Sequence, residues 1–402
     1  MPVLPVTKLA LAGRKVLVRC DFNVPLETQK DENGKFKSAK ISDSARIDAS
    51  LETIRYILGQ GASVVLCSHL GRPKERSPEL SLKPVAEYLS AVLGQKVALA
   101  PDCIGDITGR LVGALKPREA LLLENLRFHG EEEANDRDFA HELARGKDAY
   151  VNDAFGSAHR AHASIVGVTR FIHERAAGFL MMRELEALRA VTENPERPAI
   201  AILGGAKVSD KIGVIRNLFT KMNTILIGGA MAYTFIKSRG IPVGKSRVEE
   251  DKVDLARDLL AEAEKLGVAL VLPVDHIVAP SIDSASGSAT AGVEIPADMM
   301  GLDIGPRTID EFIARLAGAK TVIWNGPLGL FEREPFAAGT MKVGEALANL
   351  PGAKTVIGGG DTAAAVGHQP WSGRFTHIST GGGATLEYLE GREFPGVKAL
   401  EV

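Results

Sequence analysis

Two groups of residues in this chain have the types and spacing to handle phosphate and carboxylate. The first is a phosphate cradle. The stretch Thr355-Val356-Ile357-Gly358-Gly359-Gly360-Asp361-Thr362-Ala363-Ala364-Ala365-Val366 passes from an apolar run into three glycines and then into an alanine-rich helix start. Glycines let a backbone turn tightly and lie close to a ligand. A helix start presents unpaired N–H groups and the positive end of its dipole, which suit phosphate. Asp361 stands where a Mg²⁺ on that phosphate would find a carboxylate. Such a turn also serves as a plain strand-to-helix connection, so the rest of the chain has to decide. Upstream, Gly204-Gly205-Ala206-Lys207-Val208-Ser209-Asp210-Lys211 sets Lys207 and Lys211 four apart, the spacing of one helix face, with both ammoniums in reach of one polyphosphate.

The second group is cationic. Arg46, His69, Arg72, Arg127 and Arg160, with His159 and His162, fall in the first half of the chain. Arginine makes forked, charge-assisted bonds to carboxylate and phosphate. A small substrate carrying both groups suits such a basket, with Asp21 and Asn23 bonding to a hydroxyl. A single arginine is most often a solvated charge; a set of them at strand ends is harder to explain that way. The two imidazoles of His159-Arg160-Ala161-His162 are too few for a zinc site.

These residues need elements to position them. Apolar runs rich in Val, Ile and Leu recur at 15–19, 63–67, 120–123, 149–151, 199–203, 224–227, 269–274, 321–324, 355–357 and 376–378. Amphipathic segments lie between most of them. Residues 46–58 put Ile47, Leu51, Ile54 and Leu58 at helical spacing, and 252–266 do the same with Val253, Leu255, Leu259, Leu260 and Leu266. Short buried strands alternating with helices predict an α/β fold: two doubly wound, Rossmann-like domains with parallel sheets covered on both faces. Ligands in such sheets bind outside the carboxyl ends of the strands. There the first half carries polar tips (Asp21-Phe22-Asn23, Ser68-His69-Leu70-Gly71-Arg72, Glu124-Asn125-Leu126-Arg127, Asn152-Asp153). The second half carries glycine tips (Gly204-Gly205, Gly228-Gly229, Asn325-Gly326-Pro327, Gly358-Gly359-Gly360, Gly381-Gly382-Gly383).

A charged amphipathic segment over 178–191, stopped by Asn194-Pro195 and Pro198, predicts a helical linker. It divides a first domain, 1–180, from a second, 181–386; the tail 387–402 is too short to be a domain and is expected to pack back on either half, the first included. The polar segment 28–40 is expected to be an exposed loop. Two patterns mislead. Gly240-Ile241-Pro242-Val243-Gly244-Lys245-Ser246 has three residues between its glycines where a P-loop has four. Gly358 to Ala363 fits a dinucleotide fingerprint, but glycines stand where its ribose-binding acid belongs.

The composition fits a globular protein of 402 residues, 45% hydrophobic and 24% charged. A formal net charge of -2 gives no electrostatic reason to expect nucleic acid or an anionic membrane. Cys20, Cys67 and Cys103 are odd in number and far apart, read as small buried apolar residues in a reducing compartment. No h-region of a signal peptide and no run long enough to span a bilayer is seen, so a cytoplasmic location is expected.

In its motifs the chain resembles the phosphoglycerate kinase family. The likeness is carried in order by Arg19-Cys20-Asp21-Phe22-Asn23-Val24-Pro25, Ser68-His69-Leu70-Gly71-Arg72-Pro73, Leu123-Glu124-Asn125-Leu126-Arg127-Phe128, His159-Arg160-Ala161-His162, Gly204-Gly205-Ala206-Lys207-Val208, Trp324-Asn325-Gly326-Pro327, Gly358-Gly359-Gly360-Asp361-Thr362 and Ser379-Thr380-Gly381-Gly382-Gly383. The resemblance implies a monomeric kinase of small molecules. It would move the acyl phosphate of 1,3-bisphosphoglycerate to ADP, reversibly, giving 3-phosphoglycerate and ATP, with Mg²⁺. It implies that Asp21, Phe22, Asn23, Arg46, His69, Leu70, Gly71, Arg72, Arg127 and Arg160 hold the acid. Gly205, Lys207, Lys211, Gly229, Asn325, Glu332, Gly359, Gly360, Asp361 and Thr362 would hold the nucleotide, with Leu302 near the adenine, Glu332 on the ribose and Asp361 on the metal. Arg46, Lys207, Lys211, Gly360 and Gly383 would surround the moving phosphoryl group after closure about the helical hinge. Two other classes remain open from the residues alone: a nicotinamide oxidoreductase and a non-catalytic anion-binding protein.

Overall fold

Each of the two large sheets in this computed structural model, which describes residues 3–401, is built wholly of parallel strands. The chain divides into two compact units, Met1–Glu184 with Glu393–Val402, and Leu185–Arg392. The division falls inside the helix Phe179–Thr192.

In the first unit the strands lie in the order Val97–Leu99, Ala120–Leu122, Ser63–Cys67, Lys15–Arg19, Ala149–Asn152, Arg175–Ala177. Lys15–Arg19 is central, buried from Val16 onward, and pairs on both sides, Arg19 lying beside Cys67 and beside Asn152. One face of this sheet, with Val16, Val18, Val64 and Leu66, packs against the helices Ala45–Gly59 and Lys83–Leu93 through Ile47, Ile54, Val85 and Leu89. Segment 28–40 is not the loop its polarity suggests. It forms most of an antiparallel ribbon, Leu26–Lys30 with Phe36–Ile41, in which Glu27 pairs with Lys40 and Thr28 with Ala39. Both faces of a ribbon that stands away from the core can be polar, so the hydrophobic alternation that marks a half-buried strand is missing.

In the second unit the order is Ala269–Val271, Thr224–Ile227, Ala199–Leu203, Thr321–Asn325, Lys354–Gly358, His377–Ile378. Chain order reverses between Ala199–Leu203 and Thr321–Asn325, which makes that junction the switch point where a doubly wound sheet opens a crevice. An antiparallel sheet not foreseen from the apolar runs joins Ser288–Ala289, His276–Ala279 and Met300–Ile304. Trp324, Phe312, Ile309 and Val343 close the core beneath the main sheet.

A carboxylate is buried beside this core. Asp303, on Met300–Ile304, accepts the Gly339 N–H at 2.7 Å and the Ile304 N–H at 2.8 Å. An added Cβ on Gly329 would lie 2.2 Å from Asp303 Oδ1, so only glycine lets the 326–332 loop cross the carboxylate. Burial pushes Asp303 up to about 7, against the pull of those two N–H groups. The folded chain therefore keeps this proton where the unfolded chain has lost it. The resulting stability is complete below the ordinary carboxyl value of 3.8 and is lost as pH rises through about 7.

Two outcomes follow for urea denaturation. Phe312→Ala, which empties a fully buried ring position, should lower the unfolding free energy by about 3–5 kcal/mol. Asp303→Asn should gain stability relative to the parent steadily between about pH 4 and 7; a difference flat across that range would show that the carboxyl is not shifted.

Candidate functional site

In the first unit the cationic residues gather at the carboxyl edge of the sheet, tied together by the strand-end loops. Asn23 is the joint. Its Oδ1 accepts the Gly71 N–H at 2.8 Å, and its carbonyl accepts Arg46 Nη1 at 3.1 Å. Arg46 Nη1 also lies 3.4 Å from Asp21 Oδ2. Arg127 Nη1 donates to the Gly71 carbonyl at 2.6 Å, and its Nε is 3.0 Å from Glu133 Oε1, an ion pair out of line for a hydrogen bond. Burial first, then the charges of Arg160, Arg19 and Arg72, push the Arg127 guanidinium down. Arg72 is exposed, and Arg160 is half-buried with its Nε on His159 Nε2 at 3.0 Å. Four guanidiniums close enough to repel one another, with few carboxylates between them, form a concentration of positive potential that an anion would relieve.

His69 belongs to this set as a neutral ring. Burial, followed by the charges of Arg19, Arg127, Arg160 and His162, holds it well below its usual range. Arg19 Nη2 donates to His69 Nδ1 at 3.0 Å, and since a guanidinium can only donate, the ring proton sits on Nε2. Arg19, given no site role in the sequence, is almost fully buried. Its Nε donates to Ser164 Oγ at 3.0 Å, and Ser164 in turn bonds to the buried Glu132. Nothing in the spacing marked this chain of partners, because Arg19, Glu132 and Ser164 meet only through the fold. Phe22 and Leu70 point the other way: their side chains are buried in the hydrophobic core, and the Phe22 N–H is taken by Ser68 Oγ.

In the second unit the glycine tips pack backbone against backbone at the switch point. The Gly204 N–H donates to Asn325 O at 3.0 Å, Gly205 N–H to Pro327 O at 3.0 Å and Gly229 N–H to Leu328 O at 2.9 Å. A Cβ on Gly229 would stand 2.5 Å from Gly205 N. Gly205 and Gly229 thus spend their N–H groups on the Pro327–Leu328 carbonyls and serve a ligand by close approach instead. The first turns of the helices Gly360–Val366 and Gly383–Leu389 carry no side-chain cap, and Gly359, at φ 90°, adopts a backbone that glycine reaches without strain.

Lys207 and Lys211 do not share a helix face. The helix begins only at Ile212, with Lys211 as its cap residue, and residues 208–211 form a turn closed by the Lys211 N–H on Val208 O at 2.8 Å. Lys207 is exposed, whereas Lys211 is buried and bonded to Asn325 Oδ1. Burial pushes Lys211 down to about 8, and the carboxylates of Asp210, Asp361 and Glu390 oppose the shift. Asn325 Nδ2 is buried with no partner among the described residues, a donor set aside for something other than protein. Thr362 Oγ1 accepts the Gly326 N–H at 2.7 Å, which leaves it structural.

Beside these groups lies a cavity of about 420 Å³. Gly205, Gly229, Leu302, Glu332 and Asp361 line it, as do Lys245, Arg247 and Tyr233, which sequence reasoning did not place there. Lys245 belongs to the false P-loop, so a discarded motif supplies a wall of the cavity by another route. An exposed carboxylate at Asp361, close to Lys211 and to the uncapped first turn of its own helix, suits Mg²⁺, which takes one or two carboxylates and the remaining ligands from phosphate and water.

Comparison with known proteins gives one answer. The profile described as phosphoglycerate kinase matches residues 6–392. The chain is 51% identical over 409 residues to the phosphoglycerate kinase of Koribacter versatilis, covering 100% of this chain and 99% of that one. It is 52% identical over 405 residues to that of Anaeromyxobacter dehalogenans, covering all of both. The structure of phosphoglycerate kinase from Coxiella burnetii superposes with a TM-score of 0.88 at 39% identity, covering 99% of each chain. That from Pyrococcus horikoshii gives 0.84 at 33%, covering 99% of this chain and 98% of the other. With the geometry of both units in agreement, the chain belongs to the phosphoglycerate kinase family.

Proposed function

We infer that the two sets of residues divide the family's reaction between them, the first unit holding the phosphoglycerate and the second the nucleotide. The reaction, which this chain carries out, is the reversible transfer of the acyl phosphate of 1,3-bisphosphoglycerate to ADP, giving 3-phosphoglycerate and ATP. Its substrates are small molecules. No helix among the described residues is long and apolar enough to cross a membrane, and we propose a cytoplasmic location.

The observation that carries the division is the crowding of Arg19, Arg127 and Arg160 around a neutral His69, with Arg72 beside Arg127. Such a basket has charge for a phosphate and a carboxylate and a neutral N–H for a hydroxyl or an oxygen. In the direction of ATP use the nucleophile is a carboxylate, ionised at pH 7, so no general base is required. What remains is positioning and stabilisation of charge on the moving group. Arg46, Lys207 and Lys211 supply the cations, and Gly360 and Gly383 supply backbone N–H groups. Lys211 and Asn325 hold phosphate oxygens, Leu302 faces the adenine and Glu332 takes the ribose hydroxyls. Mg²⁺, when bound at Asp361, neutralises part of the polyphosphate charge. The acid and the nucleotide are assigned to different units, so we propose that a motion about the helix Phe179–Thr192 brings them together and excludes water from the acyl phosphate.

A coupled assay with ATP, Mg²⁺ and 3-phosphoglycerate measures this directly. Arg46→Ala should leave nucleotide binding intact while costing roughly 2–4 kcal/mol in the transfer step, the scale of one lost charge-stabilising donor; undiminished turnover would remove Arg46 from the mechanism. Lys207→Ala should lower kcat far more than it raises KM for phosphoglycerate. Raised KM values with kcat intact would make it a binding residue only.

A further inference from the structure

Away from the arginine basket, two loops of the first unit bring three unlike donor atoms together. The carboxylate of Asp102, the thiol of Cys103 and the imidazole of His129 each offer one atom, all within 4.8 Å of one another. Asp102 and Cys103 follow the edge strand Val97–Leu99, and His129 ends the turn Leu126–Phe128. His129 Nε2 is 2.7 Å from Asp102 Oδ1. The Cys103 N–H reaches the same oxygen at 2.7 Å, and Arg76 Nη1 reaches Oδ2 at 3.2 Å. Thr108 Oγ1 fixes the loop by donating to the Asp102 carbonyl at 3.0 Å. Cys103 is buried, while the side chains of Asp102 and His129 are 32% and 24% exposed, so the cluster opens to solvent on one side.

We propose that Asp102, Cys103 and His129 form a binding site for a borderline divalent transition metal, typified by Zn²⁺, with water as the fourth ligand. In a tetrahedral zinc site with bonds of roughly 2.0–2.3 Å the donor atoms stand roughly 3.3–3.5 Å apart, so side-chain rotations that draw these atoms together by up to about 1.5 Å enclose one ion. The donor set decides the class of metal. A thiolate with an imidazole selects zinc-like ions, whereas Mg²⁺ prefers oxygen alone. The site is therefore distinct in chemistry and in place from Asp361. On binding, the Cys103 S–H bond breaks, its proton leaves to solvent and its electron pair makes the metal–sulfur bond. The His129 ring, whose Nε2–H donates to Asp102 in the empty site, loses that proton to solvent, takes one from solvent at Nδ1 and turns the freed Nε2 lone pair to the ion, and Asp102 exchanges hydrogen bonds for a metal–oxygen bond. No electrons are transferred. The Arg76 guanidinium on Asp102 opposes the ion by its charge and sets the affinity below what the three ligands alone would give.

The test uses the full chain in excess Mg²⁺. Zn²⁺ is titrated against a chromophoric chelator, and Co²⁺ is used as a spectroscopic probe. One Zn²⁺ per chain is expected, together with a thiolate-to-cobalt charge-transfer band that disappears in Cys103→Ala. His129→Gln should weaken Zn²⁺ binding by more than about tenfold, since even outer partners of a metal ligand are worth that much. Arg76→Gln should tighten binding several-fold. Absence of the cobalt band at saturation, or its survival in Cys103→Ala, overturns the site. Should Cys103→Ala fail to fold by circular dichroism, His129→Gln decides, and unchanged affinity there overturns it equally. Affinity that does not rise in Arg76→Gln removes Asp102 from the ligands and with it the three-residue site.

Discussion

Strands that run parallel all end on the same edge of the sheet, and the loops leaving that edge must satisfy one another's backbone before they can hold anything else. Both units obey this constraint, by different means. In the second unit the loops have almost no side chains at the closest points, so carbonyl and N–H meet directly: Gly204 on Asn325, Gly205 on Pro327, Gly229 on Leu328. A methyl group at Gly204 would stand 2.0 Å from the Pro327 carbonyl oxygen. This contact leaves a shallow wall without side chains along which a flat ligand can lie, and it leaves Asn325 Nδ2 buried and unspent. In the first unit the loops are joined through side chains. Asn23 and Asn125 stand in for backbone partners: the Asn125 amide bonds to Leu70 N–H, Leu70 O and Leu80 O. The consequence is a rim that carries charge, where the other carries bare backbone.

Keeping like charges together has a cost that the first unit meets with neutral acceptors. Arg127 donates to the Gly71 carbonyl, Arg46 to the Asn23 carbonyl, Arg19 to Ser164 and His69. Carbonyls and hydroxyls orient a guanidinium without cancelling its charge, as a carboxylate would. Asp21 and Glu133 each pair with one arginine, and the buried Glu132, reached from Arg19 through Ser164, faces the charges of Arg19 and Arg127. The basket is thus oriented while remaining net positive, the state that favours a dianionic ligand over water.

Much of this was legible in the sequence because strand ends announce themselves. The apolar runs at 15–19, 63–67, 199–203 and 321–324 stop within a residue of the strands found there, and the polar or glycine tips follow at once. His69, Arg127 and Asp361 are read from that position, whereas Arg46 opens the helix Ala45–Gly59 and the role of Asn325 is only what the resemblance implies. Other features depended on contacts between distant segments. Arg19 looked like the last residue of a strand, and only its burial beside Ser164 and His69 shows it as the support of the basket. Lys211 looked like a partner of Lys207 on a helix; the turn at 208–211 separates one as buried and the other as exposed. The ribbon of 26–41 has no buried face and so no periodicity to read. Asp102, Cys103 and His129 share no motif spacing at all, since two loops from different strands bring them together.

The two ligand sets also differ in how they answer to pH, and the difference bears on the chemistry. The first is made of arginines, which stay charged throughout the physiological range, and of His69, which stays neutral because burial and four neighbouring cationic or ionisable groups disfavour its proton. Its charge is therefore constant. The second relies on Lys211, pushed down to about 8 by burial. A lysine in that state is held charged by whatever anion lies beside it, since an opposite charge favours the protonated form. Asp361, Asp210 and Glu390 do part of this already. On the proposed division of labour, a polyphosphate adds to their effect, so nucleotide binding and full protonation of Lys211 reinforce each other. The cation that stabilises the transferring group is then most completely present when the nucleotide is in place, while the acid's basket needs no such completion.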